Sequence, residues 1–155
     1  MDENRSLTTA SSSDAKQYIV VNIGIEQFGI DIKYVDNIVR MQKITRVPKI
    51  QNYFRGVINL RGEIIPVMSI RRKFGLEEDE IADKTRIVIL KPEGQDSIGI
   101  IIDSVKEVIT LSEENIENRK YDSKDEKTKF VSGIGKHSDS LISLLNISGI
   151  VSENW

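Results

Sequence analysis

Gly56-Val57-Ile58-Asn59-Leu60-Arg61-Gly62-Glu63-Ile64-Ile65-Pro66-Val67 sets a charged turn between two apolar runs. Valine and isoleucine favour the pleated backbone, so the flanks read as strands and Arg61-Gly62 as the reversal joining them. Gly62 has no Cβ and can take the positive φ that a tight hairpin requires. Pro66 has no N–H to donate and is expected at an edge, a bulge or a strand end.

Outward from this hairpin the same kind of segment recurs. Residues 18–23, 28–32, 44–47, 87–90, 98–102, 105–111 and 141–145 are short, aliphatic and bounded by turn formers such as those of 92–96 and 137–140. Phe28, Ile30 and Ile32 alternate with Gly29 and Asp31, as in a strand buried on one face. The chain is therefore mainly β. Helical signals are brief: Val35, Ile38 and Val39 have helical spacing, 69–74 is stopped by Gly75, 112–115 resembles a helix start, and 147–151 could close the chain. The charged stretches 77–84 and 119–129 read as a subdomain linker and a mobile surface loop.

An internal repeat organises these pieces. Gly29-Ile30-Asp31-Ile32-Lys33-Tyr34-Val35-Asp36-Asn37-Ile38-Val39 is echoed by Gly99-Ile100-Ile101-Ile102-Asp103-Ser104-Val105-Lys106-Glu107-Val108-Ile109. Ile64 to Ile70 is echoed by Leu141 to Ile147, and Gly56-Val57 by Gly133-Ile134. Two related β units follow, with approximate limits 18–83 and 84–152 and room for strand exchange between them. Small sheets avoid open edges by curling, so two packed five-stranded barrels with short connecting helices are expected, a β-sandwich being the alternative. The groove between the units would be a docking place within reach of Val35, Ile38, Arg61 and Val108.

Composition narrows the function. The 155 residues contain no cysteine, which removes disulfides, thiolate metal sites and thiol nucleophiles. Residues 1–15 are polar, without a signal-peptide core, and read as a disordered tail before a single domain over 16–152. No apolar run is long enough to span a bilayer, so a soluble protein is expected, with any membrane association made through a partner. With 22 basic and 24 acidic residues the net charge is −2, which argues against phosphate tracking and nucleic-acid binding. Catalytic material is thin. His137 is the one histidine, Ser138 and Asp139 adjoin it in a single turn, and no phosphate-binding glycine loop occurs. Asp31, Asp36 and Asp103 lack calcium-loop spacing, and Gly133-Ile134-Gly135 reads as a bulge or turn. No cofactor or metal is implied. A protein-interaction module is the default; a small-ligand or nucleic-acid barrel, and a hydrolase built on Asp31, Asp103 or His137, are the competing readings.

The residues also carry a family resemblance. Phe28-Gly29-Ile30-Asp31-Ile32 with Val35 and Ile38, then Gly56 to Gly62 with Ile65-Pro66-Val67 and Arg71, then Gly99-Ile100 with Asp103 and Val105, and finally Gly133, resemble the CheW family over about 17–152. The resemblance implies paired SH3-like β-barrels and a non-enzymatic adaptor between chemoreceptor cytoplasmic tips and the histidine kinase CheA. Such an adaptor is cytoplasmic and meets the membrane only through receptors, in arrays at its inner face. A sister reading makes the chain a CheW-like regulatory piece of a larger kinase. The implied receptor-binding residues are Val35, Ile38, Gly56, Arg61 and Val108. The implied kinase-binding strand edge includes Thr85 and Arg86, where the regulatory domain of CheA would dock. A second kinase contact is expected near Ile116-Glu117, where Glu117 stands in place of a basic residue. Arg61 would either anchor an interface or brace the junction of the units. In the second unit Lys136-His137-Ser138-Asp139 replaces Asn59-Leu60-Arg61-Gly62, which makes the first turn the expected seat of recognition.

Overall fold

A computed structural model describes residues 15–118 and 129–151. Its elements are β1 (Ala15–Ile23), β2 (Glu26–Asp31), β3 (Val35–Arg40), β4 (Phe54–Leu60), β5 (Glu63–Ser69), α1 (Ile70–Phe74), β6 (Arg86–Leu90), β7 (Ile98–Ile102), β8 (Ser104–Ser112), β9 (Ile116–Asn118), β10 (Val131–His137), β11 (Ser140–Leu145) and α2 (Ile147–Val151). They form a five-stranded sheet, β3-β6-β7-β5-β4, and a six-stranded sheet, β8-β1-β2-β11-β10-β9. The fold is mainly β with two SH3-like barrels.

The five strands of one sheet match five of the other in order, β9 having only the Thr45↔Val57 bridge as its counterpart, and the sequence repeat records why. β5 pairs in parallel with β7 at Val67↔Gly99, as β11 does with β2 at Leu144↔Gly29. Ser69 Oγ accepts the Arg72 N–H at the start of α1, and Asn146 Oδ1 accepts the Gly149 N–H at the start of α2. The Ser69 N–H donates to Tyr53 O, and the Asn146 N–H donates to Phe130 O. The sheets do not divide at 83/84, however. β1 and β2 complete the sheet of the C-terminal strands, while β6 and β7 stay with β3 to β5, so exchange runs in both directions. Each repeat straddles a crossover: 29–39 leaves β2 for β3, and 99–109 leaves β7 for β8. We call β3 to β7 the inserted barrel and the rest the composite barrel.

Alternation on strands buried on both faces drives this arrangement. On β1, Tyr18 and Val20 point into the composite barrel, while Ile19, Val21 and Ile23 point between the barrels. On β6, Ile87 and Ile89 fill the inserted barrel, and Val88 and Leu90 face the same shared layer. Among the described residues the shared core has eighteen buried members and each barrel core has six. At roughly 1.5–3 kcal/mol per buried aliphatic or aromatic side chain, most of the apolar stabilisation lies between the barrels. Phe74 on α1 stacks on Phe130 at 5.2 Å and meets Phe28 at 5.7 Å, joining the barrels by rings as well.

Several local expectations are corrected. Val35, Ile38 and Val39 are strand, preceded by one 3-10 turn, Ile32–Tyr34, whose Lys33 N–H donates to Asp31 Oδ1. Ile38 packs on the shared core and Val39 on the inserted barrel's core, the opposite facing of neighbours that a strand requires. Residues 44–47 form no strand beyond a single bridge, Thr45↔Val57. Pro66 lies inside β5, just before its ladder with β7 begins at Val67, where no N–H is needed on that side. Residues 77–84 link α1 to β6 within one sheet. They are pinned by Asp79, whose Oδ2 accepts from Ser69 Oγ at 2.6 Å and Arg55 Nη1 at 3.2 Å. Residues 1–14 of the tail and 119–128 of the second charged stretch lie outside the described residues. The short helices expected at 69–74 and 147–151, and the turn at 112–115, are present.

Candidate functional site

Register places the aliphatic candidates on one layer. Val35 stands opposite Leu90 and Ile38 opposite Val88, both of the shared core, and the two side chains pack half-buried against it. Val108 stands opposite Ile19, again a shared-core residue, yet is 52% exposed. Directly opposed residues in an antiparallel pair point to the same face, so all three rise at the rim of the interbarrel layer. Val105, opposite Val21 and 38% exposed, joins them. Sequence reasoning had Val105 only as a resemblance mark; its match to Val35 in the repeat is the signal that would have found it.

Gly56 and Arg61 lie apart from this rim. Gly56 is buried at a break in the β4–β5 register, with φ at +139°. A Cβ there would stand 2.2 Å from Thr45 O, so glycine lets the 41–53 connection close against β4. Arg61 and Gly62, at φ +54° and +86°, form the two-residue reversal of β4–β5, and the Gly62 N–H donates to Asn59 Oδ1 at 3.0 Å. The Arg61 side chain is exposed and braces nothing among the described residues.

The strand-edge placement of Thr85 and Arg86 needs correction. β6 runs between β3 and β7, so Thr85 and Arg86 offer no free strand edge. Thr85 is 3% exposed and its Oγ1 accepts the Ala82 N–H, which is structural work. The Arg86 guanidinium is accessible, and its Nη1 donates to the carbonyls of Asp83 and Thr85. The Glu117 region is on the surface: Glu114, Ile116, Glu117, Ile134, Lys136 and Leu141 line a shallow cavity of about 230 Å³. Leu141, 63% exposed, was read only as strand; its repeat partner Ile64 is 58% exposed.

The proposed hydrolase carboxylates hold structure. Asp31 caps the turn after β2. Asp103 takes a bidentate bond from Arg71, Nη2 to Oδ2 at 2.6 Å and Nε to Oδ1 at 3.2 Å, while Oδ2 also accepts the Gly24 N–H. This latch ties α1 of the inserted barrel to the β7–β8 crossover and the β1–β2 turn. The hydrogen bonds that Arg71 donates to Asp103 raise the Arg71 pKa above its ordinary value, against the opposing effect of burial. Burial, aided by the nearby Asp31 charge, raises the Tyr18 phenol. Among the described residues no group of three histidine, cysteine or acidic side chains could hold a metal ion.

Comparison with known proteins fits this architecture. Residues 17–154 match the family model described as CheW-like domain. The chemotaxis protein CheW of Bacillus subtilis (strain 168) is 32% identical over 143 residues, covering 92% of this chain and 91% of its own length. The chemotaxis protein CheW of Helicobacter pylori is 31% identical over 144 residues, covering 93% and 86%. The crystal structure of the scaffolding protein TtCheW from Thermoanaerobacter tengcongensis superposes with a TM-score of 0.78 at 35% identity, covering 84% of this chain and 88% of that one. Paired barrels, crossovers and sequence together place this chain in the CheW-like domain family.

Proposed function

We propose that this chain is a non-enzymatic chemotaxis adaptor that couples chemoreceptor cytoplasmic tips to the histidine kinase CheA. The observation that carries the reading is the family match over 17–154, which covers both barrels. Under this reading the receptor meets the aliphatic rim of Val35, Ile38 and Val108, with Val105 added, and Arg61 presents an unengaged guanidinium at its hairpin tip. Gly56 contributes by holding the 41–53 connection in place. The kinase meets the Arg86 surface and, at a second contact, the acidic cavity around Glu117. A core shared by both barrels suits the task, because a displacement at one surface is carried to the other through close-packed side chains. No described helix is long and apolar enough to cross a membrane, and receptors supply the attachment to its inner face.

Binding tests the proposal. The purified chain should bind both a receptor signalling fragment and the regulatory domain of CheA at micromolar concentrations, together as well as singly. Failure to bind either one refutes the adaptor reading.

A further inference from the structure

Between Asp36 and Glu63 the chain has six basic residues and no acidic one, although its net charge is −2. The 41–53 connection shows why this matters. Met41, Ile44, Val47 and Ile50 are half-buried, while Arg40, Lys43, Arg46 and Lys49 are exposed, a strict three-residue period. Met41 and Ile44 pack on the inserted barrel's core, Ile50 packs on the shared core, and Thr45 exchanges two 2.8 Å backbone bonds with Val57. The cations thus stand on an anchored ribbon. Neighbouring arginines are engaged: Arg55 with Asp79, Arg71 with Asp103, Arg72 with Glu78. The side chains of Arg40, Lys43, Arg46 and Lys49 have no hydrogen-bond or ion-pair partner among the described residues. The fold itself does not ask for positive charge here. The matching segment of the composite barrel, where Glu117↔Ile134 replaces Thr45↔Val57, carries Glu113, Glu114 and Glu117 instead.

We propose that Arg40, Lys43 and Arg46 form a docking edge for an acidic helix of a partner protein, the row ending before Lys49, which lies in a turn with φ at +63°. Spacing selects the helix. Three residues of extended chain span about 9–10 Å. Seven residues of α-helix, close to two turns, rise about 10.5 Å, whereas one face of a strand repeats at about 7 Å. Glutamates at every seventh position would meet the row in register. The inference stands apart from the receptor rim and does not depend on the adaptor reading.

The test uses the full chain and a fluorescent helical peptide carrying glutamate at every seventh position, read by anisotropy. Binding should weaken several-fold between about 50 and 200 mM salt, because exposed pairs are screened. The Lys43→Glu/Arg46→Glu variant should bind about tenfold more weakly, with an unchanged melting curve confirming its fold, while Lys106→Glu binds as wild type. The milder Lys43→Gln should fall between. The proposal is overturned if a glutamine version of the peptide binds equally, if the double variant binds as wild type, or if phosphatidylglycerol vesicles bind while the peptide does not. Self-association of the chain that Glu114→Lys/Glu117→Lys abolishes would assign the row to a second copy and also overturn it.

Discussion

Replacing Gly56 by alanine should unfold the inserted barrel's closure before it touches any partner surface. At φ +139° an L-residue is strained by about 1–3 kcal/mol. The new Cβ would also lie 2.2 Å from Thr45 O and 2.9 Å from Ile44 Cγ2, so the 41–53 connection must move away from β4. That breaks the two Thr45–Val57 backbone bonds, worth about 1 kcal/mol each. The sum is about 3–5 kcal/mol, a large part of the roughly 5–15 kcal/mol that holds a domain folded. For a chain of this length it lowers Tm by about 6–20 °C. Thermal and urea unfolding followed by circular dichroism measure it. Gly62→Ala is the control: φ is +86° but nothing lies within 4 Å of the added Cβ, so only the backbone cost of about 1 kcal/mol applies. The reasoning is refuted if Gly56→Ala stays within about 0.5 kcal/mol of wild type, or if Gly62→Ala costs as much.

Three further outcomes are expected. Arg71→Ala removes the two-pronged bond to Asp103 and should cost about 1–3 kcal/mol in urea unfolding, with Asp103→Asn coupled to it in a double-mutant cycle. The Tyr18 phenol is raised above its ordinary value of 10.0, so its contribution is complete below that value and is lost as pH rises through the folded-state pKa. Ultraviolet titration should therefore show Tyr18 ionising late, with its share of the stability lost in the alkaline limb. A fragment of residues 35–102, the whole inserted barrel, should fail to melt cooperatively, because its shared-core face would be exposed to water.

Much of this fold was legible in the chain, because strand composition, the Arg61-Gly62 reversal and the short helices are local matters. The repeat was legible too, but its meaning was not. Gly29–Val39 and Gly99–Ile109 look like the starts of two successive units, yet each is a passage from one sheet to the other. Pairing of β1 with β8 joins residues about ninety apart, and no local pattern records it. Strands such as β7, buried along its whole length, show no alternation from which a face could be chosen. Val35, Ile38 and Val39 satisfied a helical spacing by accident of a strand with both faces apolar. The strand edge that the family resemblance implies at Thr85 and Arg86 is not there, because β6 is interior, and pairing on both sides of a strand is a long-range matter that no local pattern records. Asp79 was hidden in an acidic run whose other members face solvent, since charge alone does not reveal which carboxylate a buried serine and an arginine will claim.

The adaptor account is tested most directly by reconstituted kinase activation, with receptor-bearing vesicles, CheA and this chain, comparing wild type with Val108→Glu. Val108 is 52% exposed, so a charge there should leave the fold intact while spoiling the aliphatic rim. Wild type should raise CheA activity in a receptor-dependent way, and the variant should keep kinase binding but lose receptor binding and activation. Full activation by a folded Val108→Glu chain, or none by wild type, would contradict the account.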